Sequence, residues 1–300
     1  MSLFCRHNRL TTNCPICSRE HEAELRAKAP QSPPRTRSAS SSTAKRAGGT
    51  SGRRSGLVTR RVARAADDGY RSPLAPGLRA TADAERLAAA LVAAAERLRP
   101  PGPYPEIAEE ADAEQASWLA FLLALAGPEA PELQQAIRTA RPVWEDGVPE
   151  DLPAERRRTA EAYRAWAGRA GTQEAAFSGD ASWTPERRFA RVFERLALPG
   201  FGRARRFDLL TALDAAGRYE LTASELFLGL EDDPATLAAK RLLVSGDRLL
   251  LDRRARELAE ACRLPLAALD RGLAMWGTPG APVDLAGEIP AAVRAALALA

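Results

Sequence analysis

The chain has 300 residues, 45% apolar and 27% charged, with a net charge of +4 and only two histidines. That is enough for one ordinary domain with appendages, and no run reaches the roughly 18 apolar residues of a membrane span. No basic stretch followed by an apolar run opens the chain, so no signal peptide is expected. Three of the four cysteines cluster near one end, which argues against a secreted disulfide framework and for a reducing cytoplasm.

The first 21 residues hold both histidines and those three cysteines. They read Cys5-Arg6-His7, Cys14-Pro15-Ile16-Cys17 and His21. Cys5, His7, Cys14 and Cys17 supply a Cys3His set for a structural Zn2+, and His21 could replace His7. Residues two apart share a face of an extended strand, so Cys5 and His7 can grip one ion. Pro15 presets a tight turn between the two following thiolates. With four protein ligands the site is closed, which points to a structural metal and not a catalytic one. Reduced thiols on a frayed end, or a disulfide, are the alternatives. Residues 1–26 are thus a zinc-binding module, too short to fold on core burial alone.

Residues 27–81 read as a disordered basic linker. Between residues 28 and 82, twelve Lys or Arg face only Asp67 and Asp68, amid Ser, Pro, Gly and Thr. Such a segment can hold phosphate backbones nonspecifically or simply solubilise the chain. Residues 83–300 carry 27 basic and 34 acidic residues, so the folded body is mildly acidic.

From Thr81 the pattern is helical, with Thr81 and Asp83 as caps and a stop at Pro100-Pro101-Gly102-Pro103. A second run, 106–126, carries Trp118, Phe121 and Leu122 and is apolar enough to be the central core helix. Further helices are expected at 131–141, 153–169, 185–197, 203–216, 222–229, 234–244, 252–262, 265–276 and 288–298. Strand signals are almost absent. The expected fold is all-α. It has a multi-helix domain over 82–280 and a C-terminal helix or tail over 281–300.

Between two of those helices lies Leu198-Pro199-Gly200-Phe201-Gly202-Arg203-Ala204-Arg205-Arg206, a helix-hairpin-helix pattern. Gly200 and Gly202 let the backbone turn and approach a surface, and the next helix offers free amides and partial positive charge to a phosphate. Phe201 would plug inward, and Arg203, Arg205 and Arg206 would add charge at the mouth. Arg187, Arg188, Arg191 and Arg195 line the preceding helix. Residues 183–218 hold eight Arg against four acids, inside an otherwise acidic body. DNA-backbone binding through Leu198, Gly200, Phe201, Gly202 and these arginines is one reading. A glycine-terminated αα-hairpin with solvated arginines is the other.

The stretches Phe4-Cys5-Arg6-His7-Asn8, Asn13-Cys14-Pro15-Ile16-Cys17, Glu114-Gln115-Ala116-Ser117-Trp118-Leu119-Ala120-Phe121-Leu122 and the run from Leu198 to Trp276 resemble the alpha-glutamyl/putrescinyl thymine pyrophosphorylase family, clade 3. The resemblance spans the cysteine cluster and most of residues 100–277 but not the linker. It implies a fold like the helix-hairpin-helix DNA glycosylases. It also implies a base-modifying reaction in which an amine such as putrescine, or glutamate, displaces pyrophosphate from a hydroxymethyl-type thymine derivative in DNA. The expected partners are DNA, a small amine co-substrate and a protein bound by the zinc module, with no membrane. The expected place is the nucleoid in the cytoplasm.

Glycosylases of that kind usually carry an Asp about twenty residues beyond the second hairpin glycine and a Lys in the helix after it. Here the first region reads Arg218-Tyr219-Glu220-Leu221-Thr222, and 203–216 contains no Lys. Ordinary base excision is therefore not expected. The catalytic candidates are Asp247, as general base toward the amine, with Lys240 and Arg248 holding the leaving pyrophosphate. Asp247 follows a glycine between two helices and reads first as an N-cap; Lys240 and the arginines read first as a solvated face. Asp208 is a weaker candidate. Trp118, Trp183 and Trp276 read as core, or as platforms for an extruded base. With both histidines in the N-terminal cluster, histidine acid–base catalysis in the body is excluded, and no Walker-type loop, dinucleotide fingerprint or Ser-His-Asp arrangement occurs. A noncatalytic DNA-binding adaptor, or an accessory factor to a base-specific nuclease, is the alternative function.

Overall fold

A computed structural model describes residues 65–278 and 287–299, all within one compact unit, Arg60–Ala300. The cysteine cluster and most of the basic linker lie outside the described residues. The described residues form twelve α-helices and no strand, so the all-α expectation holds. These are α1 (Thr81–Arg97), α2 (Pro105–Glu109), α3 (Ala113–Ala126), α4 (Pro131–Ala140), α5 (Ala154–Ala170) and α6 (Gln173–Ser178), followed by α7 (Pro185–Arg195), α8 (Arg203–Ala215), α9 (Pro234–Leu243), α10 (Arg248–Cys262), α11 (Leu266–Gly277) and α12 (Ala291–Ala296).

Helix α3 is the axis of the first half. Every residue from Ala116 to Ala126 is buried, because α2, α4, α5, α6 and α8 pack around it. A helix apolar on all sides can only be stable when enclosed in this way. Trp118 stacks with Phe121 and Tyr163, and Phe121 meets Phe201 at 5.2 Å between ring centroids. Trp118 is thus core and not a base platform, and Trp276 is equally buried, its Nε1 donating to the Asp83 carbonyl. Of the three tryptophans read as platforms, Trp183 alone reaches the surface, beneath Arg195.

The second half is built from α9 to α12 together with α1, which packs against α11. Gly272 permits that contact: a Cβ there would lie 2.7 Å from a Leu91 methyl. The chain before α1 also belongs to this half. Tyr70 and Ser72 donate to the Leu297 and Ala296 carbonyls, Leu78 is buried, and Gly77 N donates to the Leu242 carbonyl at 2.8 Å. The C-terminal part of the expected linker, residues 70–80, is therefore packed onto the helices; its apolar residues Tyr70, Ala75 and Leu78 supply the reason. A Cβ on Gly77 would fall 1.9 Å from the Arg241 carbonyl oxygen. Gly77→Ala is expected to cost about 3 kcal/mol, since backbone must move to admit the methyl; a chemical-denaturation midpoint unchanged from the parent would contradict this seating.

Two expected elements differ. The run 106–126 is broken into α2 and α3, because Arg218 takes up the Ile107, Ala108 and Glu110 carbonyls that would continue α2, and Asp112 caps α3. Residues 222–229 are not helical. Leu226, Phe227 and Leu228 are buried there in an irregular turn, and the Asp252 carboxylate accepts from the Leu226 and Leu228 amides. The expected helix gives way here because the Leu226 and Leu228 amides are satisfied by one distant carboxylate. Helix α6, capped by Thr172, was not anticipated.

Candidate nucleic-acid interface

Helix α7 starts at Pro185 with Thr184 as its cap and ends at Arg195, with Leu196 as the C-cap. The chain then makes a turn in which the Phe201 amide donates to the Leu198 carbonyl at 3.0 Å, with Pro199 and Gly200 in the middle. Gly200 has φ +73°, the value a type II turn requires after proline. Thr159 Oγ1 on α5 donates to the Pro199 carbonyl at 2.8 Å and pins the turn. Phe201 is buried against Phe121, as its expected role requires.

Gly202 has an ordinary φ of −69° and is the N-cap of α8. Its lack of a side chain serves close approach. A Cβ would lie 2.3 Å from Oε2 of Glu231, whose Oε1 accepts from the Arg203 amide at 2.9 Å. A carboxylate thus supplies the cap that glycine cannot. The amides of Ala204 and Arg205 precede any intrahelical acceptor, and among the described residues neither they nor the Gly202 amide has a partner. An open groove of about 550 Å³ runs along this corner, lined by Leu198, Gly200, Gly202, Arg205, Arg206 and Glu231 among others.

The three hairpin arginines part company. Arg205 stays at the groove, donating to the Gly200 carbonyl at 3.0 Å and pairing with Glu129. Arg206 is largely buried, its guanidinium 4.4 Å from the Phe193 ring centre, with bonds of 3.3 Å to the Phe193 carbonyl and 3.4 Å to Glu231. Arg203 does not reach the mouth at all. Its side chain is fully buried, paired with Asp233 at 2.6 Å and Asp270 at 2.9 Å, and donates to the Leu226 carbonyl. Asp233 caps α9 and Asp270 lies on α11, so Arg203 ties the two halves of the body together. Burial pushes the Asp270 carboxyl up, against the pull of Arg203. Asp233 is also partly buried, yet Arg203 and Thr236 hold it below the usual carboxylate range. On α7, Arg188 is spent on the Ser178, Trp183 and Glu220 carbonyls, and Arg191 pairs with Glu194.

Among the catalytic candidates, Asp247 is exposed and caps α10, its Oδ1 accepting from the Leu250 amide at 2.8 Å. Lys240 pairs with Asp232 at 2.6 Å. Arg248 is exposed, and its Cβ lies 3.4 Å from where a Gly229 methyl would be. Among the described residues no hydrogen bond or ion pair joins the three to one another. Lys240 and Arg248 nevertheless both border the loop 229–233 that places Glu231 in the groove. Asp208 is taken up by Tyr104 at 2.9 Å and Arg271 at 2.6 Å. These bonds tie the residue before α2 to α8 and α11, and burial and the Asp208 charge push the Tyr104 phenol well up.

Sequence reading missed Glu231, Asp233 and Asp270. The acidic run Glu231-Asp232-Asp233 before Pro234 was visible as a helix start, but its pairing with arginines about thirty residues earlier depends on the fold.

Among the described residues no cluster of His, Cys, Asp and Glu is arranged to hold a metal, and no helix is long and apolar enough to cross a membrane. No curated protein and no solved structure matches the chain. A family model does match: residues 151–277, the segment holding the hairpin, Arg203 and both of its carboxylate partners, are similar to alpha-glutamyl/putrescinyl thymine pyrophosphorylase clade 3, as the sequence motifs led us to expect.

Proposed function

We propose that the hairpin groove holds the phosphate backbone of DNA and that the domain modifies a thymine derivative within it. The observation that carries this reading is the corner at Gly200–Arg205. It is a pinned turn with unpartnered amides at the start of a 13-residue helix, beside Arg205 and Arg206, in the segment similar to a thymine pyrophosphorylase family. Helix N-termini of this kind suit phosphate.

In the reaction that the resemblance implies, an amine nitrogen attacks the exocyclic methylene of the base. The carbon–oxygen bond to pyrophosphate breaks, pyrophosphate leaves with the electron pair, and the amine yields a proton to a base. We assign the leaving group to Lys240 and Arg248, which flank the loop closing the groove, and the proton to Asp247. For that task Asp247 exchanges its bond to the Leu250 amide for one to the amine. Its exposure favours a second reading, a noncatalytic adaptor that grips DNA and recruits a partner through the N-terminal module. For that module we propose a structural Zn2+ held by Cys5, His7, Cys14 and Cys17, on the softness and spacing of the donors. Metal analysis of the purified chain should find about one zinc per molecule, lost on replacing Cys14 and Cys17.

The test is to incubate the full chain with DNA bearing pyrophosphorylated hydroxymethyluracil and candidate amines, then read nucleosides by mass. A new aminomethyl nucleoside with free pyrophosphate supports the transferase. Retention on DNA with no new nucleoside for any amine leaves the adaptor. No retention removes both.

A further inference from the structure

The anion place at the start of α8 is not bare: Glu231 sits in it. Its carboxylate takes the Arg203 amide and reaches Arg206, the two donors a phosphate oxygen would seek there. Its other oxygen fills the space that Gly202 leaves open. The fit with Arg206 is poor. Arg206 has its side chain 9% exposed, its Nε is buried with no partner, and its remaining bonds are long at 3.3 and 3.4 Å. A buried guanidinium held only by long bonds gains from a closer acceptor in the place of Glu231.

The loop that carries Glu231 is anchored on its far side. Asp232 holds Lys240, and Asp233 holds Arg203 and caps α9. The Glu231 side chain itself is 45% exposed, so it can swing to water while its neighbours stay fixed.

We propose that Glu231 is an internal competitor for the phosphate position, a latch that an incoming phosphate group must displace. With the latch in place the groove presents a carboxylate to weak or isolated anions. A backbone held by several contacts at once pushes it aside and takes over the Arg203 amide and Arg206. This rests on the phosphate-binding reading of the groove given above, and it adds that the groove is self-restrained. The ligand chemistry is a phosphate oxyanion, from a DNA backbone or from free phosphate or pyrophosphate.

Glu231→Gln keeps an acceptor for the cap and removes the charge. In full-length protein at fixed ionic strength, it should bind a short DNA duplex about tenfold more tightly than the parent, by relief of like-charge repulsion. Its melting temperature should stay close to the parent's. Equal affinity of the two proteins for DNA would overturn the latch. If neither protein holds DNA, inorganic phosphate or pyrophosphate is titrated while the Gly202 and Ala204 amide resonances are followed. Shifts at lower phosphate concentration in Glu231→Gln would sustain the latch and discard DNA as its ligand. No difference between the proteins in that arm would overturn it.

Discussion

Replacing Arg203 with methionine is expected to destabilise the domain by about 3–5 kcal/mol, the usual loss when one partner of a buried ion network is removed. The side chain has no solvent exposure, and its partners Asp233 and Asp270 are nearly as deep. Methionine fills much of the volume, so the loss reports the carboxylates left unpaired and not a cavity. Arg203 joins α8 to α9 and α11, and the two halves should loosen together.

The pH dependence separates this from a packing defect. Asp270 has a folded-state pKa above its ordinary value because burial raises it. Such a group contributes stability below the unfolded carboxylate pKa and loses it as pH rises through the folded one. Without Arg203 that pKa climbs further. Asp233 behaves oppositely: held low by Arg203, it contributes above the unfolded pKa and loses the contribution as pH falls through its folded value. Both changes act in the same direction on the comparison, so the deficit of Arg203→Met should be largest near neutrality and shrink toward pH 4. A deficit independent of pH in denaturant unfolding would show that the carboxylates are not its source.

The second large effect is expected in binding. Gly202→Leu should lower affinity for a short duplex by about thirtyfold, roughly 2 kcal/mol, because the side chain covers the amides a phosphate would use. Helicity should not change, since φ at Gly202 suits any residue. The substitution also evicts Glu231, whose oxygen lies where the new Cβ goes. Gly202→Ala should do only the latter, lowering folding stability by about 1 kcal/mol for the lost cap. In a Glu231→Ala background that cost should disappear, because the cap is already gone. Non-additivity in that cycle is the stability signature of the contact between the two residues.

The all-α class and most helix positions were legible because they rest on local signals: Pro131, Pro185 and Pro234 at helix starts, and Gly127 and Gly171 at the ends of α3 and α5, the short α6 excepted. The burial of α3 was legible from its unbroken apolar run. The corner at Gly200 was legible because Leu-Pro-Gly encodes its own turn. What was not legible depended on partners distant in sequence. Residues 222–229 are irregular because Asp252 takes their amides. Arg203 is buried because two carboxylates wait in the other half. Three arginines within four positions look alike in a sequence, yet one faces the groove, one is stacked half inside it and one is a bolt through the core. The cap at Asp247 is legible from the glycine before it, whereas the Asp232 partner of Lys240 and the Gly229 turn beside Arg248 depend on the fold.

On the proposed function, the unpartnered amides at the start of α8 receive a phosphate. The most direct measurement is a titration of the isotope-labelled full chain with a short DNA duplex at low and high salt, following backbone amides. Gly200, Gly202, Ala204 and Arg205 are expected to shift first and furthest, and affinity to fall steeply as salt rises. Shifts confined to other surfaces, with these amides unmoved while DNA is bound, would contradict it.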